Sequence, residues 1–353
     1  MKTLLTILLT IALTTQNANY HSPDKPELIY YSPQTCIRLD FTYTETIQEA
    51  GEFATYAEKM LGIKDAITAN QTTYALLGVD ISTRTYADLN RPHTIAAEKN
   101  MPWLLANINE RGLLVGFNMP QPKKEQKHPV PQNEDKPRHT PVSIIPYSEE
   151  MVEAKTIEAQ AQAVAKQIFH IRETRMYLLS GEVEHAPADG EAMRLVLNEL
   201  EKQETKLIEK FIGKTTIRKC HKYIANIPYG EDLKVWNETL YFSEDNGFTD
   251  ADNVDAYKVN ISAIFQHQLI QTPESAQKAS KGKHTIEPSP IVYNLPGIAD
   301  ISVNYNDKLI NKKTIPMAQF GADMPLPKEL FTGKDLPVIV ISEKTGNIIS
   351  ISK

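Results

Sequence analysis

The chain has little cysteine, no lysine- or arginine-rich block and only one long apolar run. Its two cysteines, Cys36 and Cys220, permit a single disulfide and no more. With 44 acidic residues against 38 basic ones and a net charge of -6, the chain offers no track for a phosphate backbone. Nucleic acid is therefore not an expected partner. The apolar run, "LLTILLTIAL" at residues 4–13, is too short to span a bilayer. No second run follows it, so an integral membrane protein is not expected. Also missing are H-E-x-x-H, G-x-S-x-G, the P-loop, G-x-G-x-x-G and any repeat of fixed period. The commonest zinc, serine, nucleotide and dinucleotide signatures go with them, and no cofactor is implied. Enzymes built on dispersed carboxylates, glycosidases among them, escape this test.

What is present begins with Lys2 ahead of the apolar run, the pattern of a secretory signal peptide over residues 1–18 with cleavage after Ala18. No cysteine follows the run directly, so no lipid anchor is expected at a new N-terminus. The expected product is an exported protein, periplasmic or surface-associated.

Residues 19–118 read as an N-terminal β-rich unit with one short helix. In "TCIRLDFTYT", residues 35–44, Ile37, Leu39, Phe41 and Tyr43 share one face and Arg38, Asp40 and Thr42 the other, which is a half-buried strand. The helix is "GEFATYAEKMLG", stopped at Gly62, and further strands are expected over 72–86 and 103–119. Residues 119–146 carry seven prolines with charges of both signs and read as a linker or insert. Residues 147–213 follow a helical pattern, broken at Ser180 and Gly181 and resumed after Asp189. Residues 214–353 return to strands, "DAYKVNISAIF" being the clearest. The expected fold is α+β, with β-rich N-terminal and C-terminal units flanking a long antiparallel helical hairpin.

The helical segment contains the main anomaly. At about 100° per residue, Ala154, Ile157, Ala161, Val164, Ala165, Ile168 and Leu179 form one apolar stripe, and Arg172 and Arg175 fall inside it. Glu204 falls inside the stripe of the second helix. A loop-centred hairpin places Glu204 about 9 Å along the axis from the level of Arg172, at about 1.5 Å per residue, so direct pairing needs extended side chains or a shifted register. Two readings stand. The trio Arg172, Arg175 and Glu204 fixes how the hairpin docks on the β units, or the two guanidinium forks bind an anionic ligand. Elsewhere, Cys36 alternates with Arg38 and Asp40, and Cys220 with Arg218 and Lys222, which puts both on polar strand faces. They form either one disulfide or two unpaired thiols. His128 and His139 in the insert, the acidic stretch 243–255 and the loop "GEVEHAPAD" are weaker candidates, each explained by solvation.

Three segments together resemble a known family: "YYSPQTCIRLDFTYTETIQEAGEFATYAEKMLGI", "IRETRMYLLSGEVEHAPADGEAMRLVLNELEKQETKLIEKFIGKTT" and "MAQFGADMPLP". The chain is similar to an exported Bacteroidetes family of unknown function, domain-of-unknown-function family 4831, from about residue 28 to the C-terminus. The resemblance implies a signal-bearing envelope protein and brings no site residues. The expected function is non-enzymatic binding of an envelope protein or glycan, with a carbohydrate-active hydrolase as the alternative.

Overall fold

The computed structural model describes residues 27–96, 105–120, 148–182, 190–230, 232–251, 255–268, 288–331 and 335–352. The expected signal peptide, nearly all of the proline-rich insert with His128 and His139, and Glu184, His185 and Asp189 lie outside the described residues.

The alternation of residues 35–44 belongs to a far longer strand, β1 (Glu27–Glu49). It pairs on one side with β2 (Gln71–Ala96) and on the other with β5 (Lys214–Asn226), both antiparallel. A second antiparallel sheet runs in the order β10 (Lys308–Pro327), β9 (Pro288–Tyr305), β8 (Tyr257–Gln266), β6 (Val235–Ser243) and β7 (Gly247–Thr249). A third joins β12 (Ile348–Ser352), β11 (Val338–Ile341), β4 (Leu114–Phe117) and β3 (Ala106–Ile108). The helices are α1 (Ala57–Leu61), α2 (Glu149–Glu153), α3 (Ile157–Ser180) and α4 (Gly190–Ile212). No helix among the described residues is long and apolar enough to cross a membrane.

Period-two patterning drives the first core. Ile37, Leu39 and Phe41 of β1 and Val79 and Ile81 of β2 point one way, meeting Val259, Ile261, Ala263 and Phe265 of β8 and Ala299, Ile301 and Val303 of β9. The first two sheets thus bury their inner faces against each other. A second core lies where the far ends of the long strands meet the third sheet, around Tyr30, Ile95, Phe117, Ile291, Leu326, Ile339 and Ile341. The third is helical, with Phe53, Ala57, Val164, Ile168, Leu207 and Phe211 at its centre.

The expected α+β arrangement around a long helical hairpin is corrected by this architecture. The described residues are mostly β, 53% strand against 26% helix, and three antiparallel sheets organise them. Two of its three cores are built by strands. The helical stripe is buried over only part of its length, and Met176, Leu179, Leu195 and Val196 remain exposed. Nor do the two chain ends make separate β units, because β4 from the N-terminal part pairs with β11 from the C-terminal part.

Four long strands, β1, β2, β9 and β10, run through both strand-built cores. In each pair the register shifts furthest at one bulge. Ala87 pairs with Pro33 and Pro92 with Tyr31, so residues 88–91 stand against Ser32 alone. Met317 pairs with Gly297 and Ala322 with Leu295, so residues 318–321 stand against Pro296 alone. Such bulges re-aim side chains and end regular pairing. These two lie together at the seam between the sheets.

Candidate functional site at the paired bulges

A bulge strips backbone groups of their ladder partners, and inside a protein each must find another. Two side-chain amides do this at the seam. Gln319 on the β10 bulge accepts from the Thr35 backbone N–H at 2.9 Å through Oε1, and its Nε2 donates to the carbonyls of Thr35 (2.9 Å) and Pro228 (3.0 Å). The Ala318 N–H donates to Thr35 Oγ1 at 3.1 Å. Asn294, only 2% exposed, donates from Nδ2 to the carbonyls of Ala318 and Thr345, each at 2.8 Å, and its backbone N–H donates to Gly346 at 2.9 Å. Gly321 is required beside it, because a Cβ there would lie 2.3 Å from Asn294 Oδ1.

The bulges also gather the polar side chains. Ser32 Oγ lies 2.7 Å from His93 Nε2, and the same nitrogen is 3.8 Å from Asp323 Oδ2. Arg91 Nη2 donates to Asp323 Oδ2 at 2.6 Å. The His93 ring stacks on Tyr30 at a centroid distance of 5.0 Å. Tyr30 donates to the Val292 carbonyl at 3.1 Å and accepts from the Val292 N–H at 3.0 Å. Burial pushes its hydroxyl up to about 12, against an opposing backbone hydrogen bond and with a further rise from Asp323. Burial likewise lowers the His93 pKa from its ordinary value, outweighing the attraction of Asp323, while Arg91 lowers it further. The cavity beside Ser32 and His93 holds about 20 Å³, room for one water.

On the other side of Arg91 the seam opens into a groove of about 520 Å³ between the bulges, walled by Asp88, Asn90, Arg91, Gln319, Phe320 and Gly321, with Tyr229, Gly230 and His267 from neighbouring loops. Asp88 is 2% exposed. Its Oδ1 accepts from the Asn90 N–H at 3.1 Å, and its Oδ2 has no hydrogen-bond partner among the described residues. Such an atom marks either a cost of about 1–3 kcal/mol or an unfilled role.

This seam is the most developed polar site among the described residues, and the family match includes all of it. The family model described as "Domain of unknown function (DUF4831)" matches residues 27–349. The chain belongs to that family. No curated protein and no solved structure gives a match. In this DUF4831 member, none of the seam residues stood out by motif. Ser32, Asp88, Arg91, His93, Asn294 and Asp323 come from β1, β2, β9 and β10, and only pairing brings them together. A usable signal was Pro92 and Gly321 interrupting strand patterns, which marks a bulge or a close backbone approach.

Arg172, Arg175 and Glu204 come together away from the seam. Arg172 Nε donates to Glu204 Oε1 at 2.6 Å, and Arg175 Nη1 lies 2.9 Å from Oε2. The Glu204 side chain is 9% exposed, against 39% and 35% for the two arginines. Helices α3 and α4 therefore meet in a register displaced from the loop-centred one, and one buried carboxylate receives both forks. Phe169 flanks Arg172, its ring centroid 5.9 Å from the guanidinium carbon.

The possible disulfide is corrected, since Cys36 and Cys220 are both free. Cys220 pairs with Tyr43, seven residues beyond Cys36 and roughly 23 Å along the strand at about 3.3 Å per residue. A bridge tolerates about 7 Å between Cα atoms. The exposed position expected for Cys36 is corrected too. Residues 35–37 are buried in succession, so β1 is covered on both faces there, and burial pushes the Cys36 thiol up. Among the described residues no group of three His, Cys, Asp or Glu side chains could hold a metal.

Two outcomes follow from these geometries. Arg172→Ala or Arg175→Ala leaves Glu204 one partner and should cost about 1 kcal/mol, as for a partly exposed pair. The double variant strands a buried carboxylate and should cost about 3–5 kcal/mol. Denaturant melts of the cycle should thus be strongly non-additive, and simple additivity would show that the two arginines act independently. For His93 the lowered folded pKa makes the native state resist a proton that the unfolded chain accepts. Its stabilisation is complete above the ordinary value of 6.5 and is lost as pH falls from there towards the lowered value. Thermal melts should decline across that window, and His93→Gln should flatten the decline. An unchanged pH slope in His93→Gln would contradict the assignment.

Proposed function

We propose that this protein is an exported cell-envelope protein, periplasmic or surface-associated, that binds an envelope protein or glycan without transforming it. The observation that carries the non-enzymatic reading is the use of His93. In a nucleophile–base–carboxylate relay, the imidazole faces the hydroxyl with one nitrogen and is oriented by the carboxylate through the other. Here Ser32 and Asp323 both approach Nε2. The adjoining cavity has room for a water and not for a substrate. The groove beyond Arg91 is large enough to seat part of a partner molecule and has walls held by the Gln319 and Asn294 amides. Export rests on the charged start and the short apolar run at residues 4–13.

One observation favours the alternative, a carbohydrate-active hydrolase. Asp88 and Asp323 both lie beside Arg91, and paired carboxyls across a cleft are what glycoside hydrolysis uses. Against it, Asp323 Oδ2 is engaged by Arg91 at 2.6 Å, which leaves Asp88 as the carboxylate without an ion-pair partner.

Protein isolated from its native cells tests both halves of the proposal. It should begin near Asn19 by mass spectrometry, fractionate with the envelope and retain an envelope component through washing without releasing new reducing ends. An intact Met1 on cytoplasmic protein would end the export claim. Turnover of envelope glycan that disappears in Asp88→Asn would replace binding with hydrolysis.

A further inference from the structure

The groove between the two bulges has a charge pattern that restricts its ligand. Its wall carries both signs, Asp88 and Arg91. Arg91 is held by Asp323 at 2.6 Å, so it stays on the wall as a fixed cation. An anionic ligand would face the Asp88 carboxylate, and a cationic one would face the Arg91 guanidinium. A neutral group that both donates and accepts hydrogen bonds opposes neither.

The unpartnered atom points the same way. Asp88 is 2% exposed and its Oδ2 accepts nothing, while its Oδ1 is already taken by the Asn90 N–H. A buried carboxylate oxygen needs a donor, and a hydroxyl supplies one without adding charge. Across the groove, His267 lies with Nε2 2.9 Å from the Leu233 carbonyl. Because a carbonyl only accepts, Nε2 carries a proton and donates to it. Tyr229 stands at the rim, 64% exposed, an aromatic face on which the C–H side of a sugar ring can rest. An acceptor, a fixed donor and an aromatic platform in an open groove match a chain of hydroxylated rings.

We propose that this groove binds a neutral oligosaccharide segment, with Asp88 shifting so that Oδ2, enclosed in the free chain, accepts from one ring hydroxyl, a neighbouring hydroxyl accepting from Arg91, and one ring lying against Tyr229. The inference rests on the binding reading above and narrows it to a glycan. The bulges explain why the site is there. Only where four residues stand against one does the sheet present an inward carboxylate next to an opening.

The test is calorimetric titration of the full chain with neutral gluco-, manno-, galacto- and N-acetylglucosamine-based oligosaccharides of three to six units, and with spermidine and citrate as charged controls. At least one neutral oligosaccharide should bind, and neither control should. In Asp88→Asn the Asn90 N–H still requires an acceptor, so the amide Nδ2 turns into the groove and meets the ligand's hydroxyl donor with another donor. Affinity should fall at least tenfold. Tyr229→Ala, at an exposed rim position, should keep its melting temperature and bind several-fold more weakly, and it decides the matter should Asp88→Asn not fold. Absence of binding across the neutral panel overturns the proposal, as does binding of spermidine or citrate in its place or an affinity unmoved in both variants. Oligosaccharide that binds and is cleaved keeps the ligand class and removes the non-enzymatic reading. An envelope component still retained when no sugar binds removes the ligand class and leaves the binding reading in place.

Discussion

Backbone groups freed at a bulge must be satisfied without water, and that constraint shapes this molecule more than any single core contact. β1, β2, β9 and β10 each serve two cores, meeting the first on one side of a bulge and the second on the other. Each bulge costs its pair four residues set against one. The side-chain amides of Gln319 and Asn294 absorb much of that cost. Gln319 makes a reciprocal pair of hydrogen bonds with the Thr35 backbone, as a strand residue would. Asn294 ties the β10 bulge to the turn between β11 and β12. Glutamate or aspartate could not replace them, since a carboxylate has no donors for these carbonyls.

The same constraint produces the chemistry of the site. A segment removed from the ladder can direct polar side chains inward, and here it directs Asp88 and Arg91 while Asp323 follows two residues after the other bulge. The low-dielectric setting strengthens every satisfied contact and penalises every unsatisfied one. Three of the buried atoms left without partners, Asp88 Oδ2, Asn294 Oδ1 and Asp323 Oδ1, belong to this seam. The other, Gln167 Oε1, is on α3. Each of them costs free energy unless a water or a ligand supplies a donor. The Arg172, Arg175 and Glu204 cluster differs in kind, since its carboxylate uses both oxygens on the arginines and joins two helices.

The strand centres were legible in the sequence. Residues 37–41 and 258–265 alternate because each stretch turns its apolar residues to the core and its polar ones away from it. The stops at Gly181 and Gly213 were legible too, as both take the left-handed conformation that glycine adopts without strain. Strand length was not. The strand expected over 72–86 continues past Pro92 to Ala96, and the strand through Gly321 to Pro327 was not delimited at all. The balance of fold class was lost with the missing length. The site was illegible for a related reason, since no local pattern brings residues 88–93 beside residues 318–323. Cys36 was misread because its neighbours alternate and the second covering layer comes from elsewhere in the chain. Glu204 was seen to break its stripe, but its partners depend on a helix register that residue spacing alone does not set.

On this view the seam is a rigid, hydrogen-bonded platform and not a loose junction between sheets. Native-state hydrogen exchange on the free chain tests it most directly. If the platform is rigid, the amides of Thr35, Val292, Asn294 and Ala318 exchange only through global unfolding, with the same free energy as Leu39 and Ile261 in the first core. Exchange of those four by local opening, at rates approaching those of exposed turns while the core amides stay protected, would contradict it.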